Sequence, residues 1–111
     1  MKRLTKKSFS ELVFDVSTEK FKGKRPTVVK FYYDNCASCD IMSPIFEKLA
    51  LENENVDFYQ MKAGSDLDVS DYFKIDELPG FLIITAKSHI TFKGQMPKIV
   101  FQKRIDAFLG E

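Results

Sequence analysis

Apolar positions alternate along this chain between helix-like and strand-like spacing. Ser8 precedes the stripe Phe9, Leu12, Val13 and Val16, with Glu11 three residues after it, so a capping box is expected to open a helix over Phe9–Val16. The segment Gly23 to Pro26 breaks the chain. From Thr27 to Tyr33 almost every residue is apolar or β-branched, which predicts a central strand covered on both faces, Lys30 being the exception. Ile41, Met42, Ile45, Phe46, Leu49 and Ala50 recur at helical offsets, predicting a helix from Ile41 to Leu51 that lies against a sheet. Pro44 interrupts that helix, and an interior proline costs roughly 3 kcal/mol, so a bend or a compensation is expected there.

Val56 to Met61 reads as a second strand, entered through Asn53-Glu54-Asn55. Two strands joined by one helix form a βαβ unit, with parallel pairing and a right-handed crossover. A short helix is predicted over Asp66–Phe73, with Leu67, Val69, Tyr72 and Phe73 apolar. Phe81–Thr85 and Ile90–Phe92 read as strands close enough to form a hairpin. Pro97 suits the first turn of a last helix, whose apolar positions are Ile99, Val100, Ile105, Phe108 and Leu109. The order α, β, α, β, α, β, β, α implies an α/β fold, a mixed central sheet of about four strands flanked by helices on both faces.

The 111 residues suffice for one domain over 1–111 with a core of its own. Seventeen Lys and Arg against sixteen Asp and Glu leave a net charge of +1, which supplies no electrostatic reason to expect nucleic acid or an anionic membrane as partner. The basic clusters at Lys2, Arg3, Lys6, Lys7 and at Lys20, Lys22, Lys24, Arg25 read as solvated faces. No apolar stretch follows Lys2-Arg3 and no run approaches the about 18 residues of a membrane span, so a cytoplasmic protein is expected.

Cys36 and Cys39 are the only cysteines, and they sit where the strand pattern hands over to the helix pattern. Three positions apart, they lie on one face of a first helical turn, near enough to form a disulfide or to share a metal. In a reducing compartment such a pair is more often catalytic, redox-sensing or metal-binding than structural, and a bridge closing so short a loop adds little stability. His89, the only histidine, falls in the expected hairpin turn and reads as a surface residue. Asp66, Asp68, Asp71, Asp76 and Glu77 lack calcium-loop spacing, and no phosphate loop or nucleophilic-serine motif is present.

Val28-Val29-Lys30-Phe31-Tyr32 leading into Cys36-Ala37-Ser38-Cys39, Pro44 in the following helix, Leu78-Pro79-Gly80-Phe81 and Gly94 together resemble the thioredoxin family along nearly the whole chain. The resemblance implies the thioredoxin fold and a redox-active Cys36–Cys39 disulfide with no other cofactor and no metal. It implies that Cys36, at a helix N-terminus, is the attacking nucleophile, since such placement lowers a thiol from about 8.5 toward roughly 3.5 to 7.5. Cys39, one turn deeper, would resolve the mixed disulfide. Pro79 would be cis, and Leu78 would offer backbone hydrogen bonds to an extended substrate.

Four departures from the family pattern, over five positions, stand out. Ala37-Ser38 replaces Gly-Pro between the cysteines, making Ser38 a candidate donor to a sulfur. Asn35 replaces the usual tryptophan, so that Tyr32, Tyr33 and Phe81 are left to supply an apolar platform. Lys30 stands where an aspartate usually serves as base, and Asp40 where a basic residue is usual. Both are candidates for tuning the thiols, Lys30 by charge attraction, by acting as a neutral base, or not at all if it merely snorkels. The leading expectation is a monomeric thiol-disulfide oxidoreductase acting on protein disulfides and recharged by a thioredoxin-reductase-like or other thiol donor. The alternatives are a non-catalytic thioredoxin-fold protein-binding module and a metal site completed by another chain or a small thiol.

Overall fold

The computed structural model describes residues 1–64 and 67–110. Asp66, the expected first residue of the third helix, and the side chain of Leu67 lie outside the described residues. In chain order the elements are β1 (Lys2–Leu4), α1 (Lys6–Leu12), β2 (Phe14–Asp15), β3 (Lys20–Phe21), β4 (Thr27–Tyr32), α2 (Ala37–Glu52), β5 (Asp57–Lys62), α3 (Leu67–Phe73), β6 (Gly80–Ile84), β7 (His89–Lys93) and α4 (Lys98–Leu109).

A five-stranded sheet has the order β1-β5-β4-β6-β7, with β4 at its centre. β1 and β4 run parallel to β5, whereas β6 is antiparallel to both β4 and β7. Because successive strand residues point to opposite faces, β4 and β6 each feed two cores. Val29, Phe31, Leu82 and Ile84 join Phe9, Val69 and Phe73 beneath α1 and α3. Val28, Phe81 and Ile83 join Met42, Phe46, Leu49, Phe101, Ile105 and Phe108 beneath α2 and α4. The same parity sends Lys30 to the α2 face.

Several expectations are corrected. The sheet gains a fifth strand, β1, which has two exposed basic residues and a single buried one, Leu4, and so carries no alternation to read. The first helix begins at Lys6, capped by Thr5 in a reciprocal box with Ser8, and ends at Leu12. The hairpin of β2 and β3 is two residues per strand, too short for a periodic signal. α2 begins at Ala37 and continues through Pro44. The carbonyl that the missing proline N–H leaves unpaired belongs to exposed Asp40, where water can satisfy it. In α4 the buried stripe is Phe101, Ile105 and Phe108, while Ile99, Val100 and Leu109 are exposed. His89 opens β7, exposed and edge-on to Phe73 at 5.0 Å.

Phe46 touches the rings of Phe58, Phe81 and Phe101 at 5.2, 6.0 and 5.9 Å and is fully buried. Phe46→Ala is expected to lower the unfolding free energy by about 3–5 kcal/mol. Ile99→Ala, at a position 65% exposed, should change it by less than about 0.5 kcal/mol. Urea denaturation of the two variants checks that Phe46 on α2 belongs to the core and that Ile99 on α4 does not.

Candidate active site

β4 ends at the carboxyl edge of the sheet, and Tyr33, Asp34 and Asn35 turn the chain into α2. Asn35 has φ 58°, a left-handed conformation that asparagine accepts more readily than most side chains. Cys36 then takes the N-cap position with extended backbone, and its Sγ accepts the Cys39 N–H at 3.2 Å. A sulfur therefore occupies the place of the usual capping oxygen, facing amide groups that no helical carbonyl satisfies. Those donors and the helix dipole favour negative charge on Cys36 Sγ. Cys36 and Cys39 are joined as a disulfide with Cα atoms 5.2 Å apart.

The two sulfurs differ in environment. Cys36 is half-buried, whereas Cys39 is 2% exposed and belongs to the buried stripe Cys39, Met42, Phe46, Leu49. Ser38 is half-buried and makes no side-chain hydrogen bond to either sulfur among the described residues; the donor at Cys36 is backbone.

Leu78–Pro79 is cis. Pro79 is buried, and its carbonyl accepts the N–H of Gly94 at 2.9 Å, which ties the loop before β6 to the end of β7. Gly80 has no room for a side chain: a Cβ there would lie 2.7 Å from Ile75 Cγ2 and 3.0 Å from the Glu77 carbonyl. Among the described residues no other backbone group pairs with the Leu78 N–H or C=O. On the outer side of α2, Ile41 and Ile45 line a shallow apolar hollow of about 290 Å³ with Gln95, Met96 and Pro97.

Behind the cysteines lies a polar cavity of about 350 Å³ that Cys39 and Lys30 both line, with Ser43, Asp40 and Gln60 among its walls. Lys30 is 2% exposed. Its Nζ donates to Ser43 Oγ at 2.8 Å, and Ser43 Oγ donates to the Cys39 carbonyl at 3.1 Å. Nζ also lies 5.6 Å from the centre of the Phe46 ring and 5.9 Å from that of Tyr32. Burial pushes the Lys30 ammonium below its ordinary value of 10.5, with Glu47 and Asp40 pulling the other way. Asp40 shares the cavity with Lys30, yet among the described residues no carboxylate comes within ion-pair distance of that ammonium.

The thioredoxin family profile matches residues 1–107. The chain belongs to the thioredoxin family. It is 39% identical to thioredoxin of Borreliella burgdorferi, over 96% of each chain, and 30% identical to thioredoxin of Mycoplasma genitalium, over 81% of this chain and 86% of that one. Its fold matches the crystal structure of chloroplastic thioredoxin z with a TM-score of 0.78 and 16% identity, covering 100% of this chain and 96% of that chain.

Within the thioredoxin family frame, the departures acquire places. Asn35 is the left-handed turn residue in front of Cys36. Of the three aromatics considered as a platform, Tyr33 is the most open, at 51% exposure, with the Lys62 ammonium 5.4 Å over its ring, and Tyr32 is half-buried. Phe81 is fully buried and stacks on Phe92, so it forms no part of a platform. Lys30 does not snorkel outward; it points into the cavity. The link that sequence reasoning missed is Ser43, whose signal was available: it follows Cys39 by four residues, one helical turn along the same side. Among the described residues no group of three His, Cys, Asp or Glu forms a metal-holding cluster, and no helix is long and apolar enough to cross a membrane.

Two outcomes are expected of this arrangement. Between the lowered folded value of Lys30 and 10.5 the unfolded chain binds more protons than the folded one, so the contribution of Lys30 to stability rises with pH through that window. Oxidised Lys30→Met should therefore be more stable than wild type at neutral pH, with the gap narrowing as pH approaches 10.5. Urea midpoints across that range measure it, and a gap independent of pH would remove burial of the charge as its cause. Gly80→Ala should cost about 1–3 kcal/mol in the same assay, because the added methyl meets both a side chain and a backbone oxygen.

Proposed function

We infer that this protein is a thiol-disulfide oxidoreductase of the thioredoxin type. The observation that carries the reading is the position of the pair: Cys36 Sγ stands at the N-terminus of α2 under the Cys39 amide, with Cys39 buried one turn behind it. In the reduced protein the Cys36 thiolate attacks a disulfide of the substrate. One substrate sulfur leaves as a thiolate and takes a proton from water, while the other stays bonded to Cys36. The Cys39 thiolate then attacks Cys36 Sγ, the second substrate sulfur leaves, and the Cys36–Cys39 bond forms. Two electrons pass from protein to substrate, and no cofactor beyond the cysteine pair is required.

The substrate class is a protein disulfide in extended chain. Leu78 supports this, because its backbone N–H and C=O, which pair with no backbone group among the described residues, lie beside the buried Pro79 and suit strand-like pairing. Asn35 and Ser38 flank Cys36 on either side and would border a bound substrate. A thioredoxin-reductase-like or other thiol donor returns the disulfide to the dithiol, and the protein works as a monomer in the cytoplasm.

Reduction of insulin disulfides with dithiothreitol as donor tests the reading. Wild type should accelerate precipitation of the insulin chains, Cys36→Ser should fall to the uncatalysed rate, and Cys39→Ser should accumulate a covalent adduct with substrate, visible by mass spectrometry. Equal rates for wild type and Cys36→Ser would refute the assignment.

A further inference from the structure

We propose that Lys30 is a buried counter-cation for the Cys39 thiolate, a positioning and charge-tuning residue for the resolving step rather than a filler of the core. The inference rests on the redox reading of the cysteine pair and assigns the second sulfur its electrostatic partner.

The geometry has three parts. Lys30 and Cys39 line the same polar cavity, whereas Cys36 does not. The ammonium donates to Ser43, whose hydroxyl in turn donates to the carbonyl of Cys39, so a single hydroxyl links Lys30 to the backbone of the resolving cysteine. Finally, the cation is solvated by ring faces and one hydroxyl, without an ion-paired carboxylate among the described residues. A buried charge lacking a partner is costly, and the group best placed to become its partner is an anion formed in that cavity.

The other charges around Lys30 do not take that part. On α2, Asp40 and Glu47 attract the ammonium from a distance without pairing with it. Asp34, on the loop before α2, is bound by Lys62 from β5 at 2.6 Å. From β1, Arg3 reaches the same cavity but stacks over Tyr32, 5.7 Å from the ring centre, and adds positive rather than negative charge. β5 otherwise presents Gln60, which is uncharged, and β6 places Phe81 opposite Lys30. The disulfide is neutral, so in the oxidised protein the Lys30 ammonium has no ion-paired anion among the described residues and is attracted by Asp40 and Glu47 only from a distance. Reduction allows Cys39 to lose its proton to water through the cavity, and the resulting thiolate neutralises Lys30. The thiolate then attacks Cys36 Sγ, the Cys36–Cys39 bond forms, and the bond from Cys36 to the substrate sulfur breaks.

The chain has two cysteines, so a Cys36→Ser background leaves Cys39 as the one thiol, and its thiolate can be titrated directly by ultraviolet absorbance. Adding Lys30→Met, apolar and of similar length, should raise the Cys39 midpoint by about one pH unit, a roughly tenfold loss of thiolate at pH below it. Lys30→Gln is read instead if the methionine variant does not give the wild-type circular dichroism spectrum. In a Cys39→Ser background the alkylation rate of Cys36 should stay within twofold on the same change. With both cysteines present, resolution of a mixed disulfide formed with a small thiol should slow about threefold, because lower thiolate content is partly offset by higher nucleophilicity.

A Cys39 midpoint that is unchanged in the folded variant overturns the proposal, as does an equal shift at Cys36, which would mark a general loosening of the site. Insulin turnover by wild type is a separate measurement. The titration needs no turnover, so the electrostatic role and the oxidoreductase reading fail independently.

Discussion

Burial of β4 on both faces is the constraint on which the rest depends. A strand whose alternate residues feed two cores must be covered by helices on both sides, and Val28 and Val29 are each fully buried in opposite clusters. That placement leaves α2 one way to follow, starting at the carboxyl end of the strand and lying back across it on the face that Val28 shares. Met42, Phe46 and Leu49 then lock the helix down. Cys39 continues that stripe toward the N-terminus and is buried by the same packing, while Cys36 stays at the open end where the first amides of the helix are unsatisfied.

The asymmetry between the two sulfurs is thus a packing consequence with a chemical effect. One faces amide donors and solvent, the other faces a small polar cavity in the protein. Lys30 reaches that cavity because it keeps the parity of Val28, and its ammonium lies over the rings of Phe46 and Tyr32. Charge there is costly on its own, and Ser43 supplies a hydrogen bond without cancelling the charge. At the loop before β6, Gly94 holds the Pro79 carbonyl and the lack of a side chain at Gly80 lets Ile75 pack closely over it.

Much of this was legible because it follows from period and position. The strand Thr27–Tyr32, the helix after it, the βαβ unit and the β6–β7 hairpin all carry long or clear apolar patterns. β1 was not legible, since a three-residue strand with Lys2 and Arg3 exposed gains its stability from pairing with Tyr59 to Met61 rather than from its own residues. In α4 the apolar residues outnumber the buried ones, and the sequence pattern does not distinguish Ile99 from Phe101 until the neighbouring surface of Phe46, Phe81 and Phe92 is in place.

For the site, composition and spacing alone determined that two thiols share a helical turn after a buried strand, because three-residue spacing and the strand-to-helix change are properties of the local chain. They also determined that Lys30 breaks an apolar run and that Asn35 sits directly before Cys36. Only the tertiary structure decided what these residues meet. Lys30 and Ser43 lie thirteen positions apart in sequence and meet through the packing of α2 on β4, and Pro79 and Gly94 meet through the hairpin of β6 and β7. Contacts between elements arise from which faces are buried together, and burial is a property of the whole fold that no single segment carries.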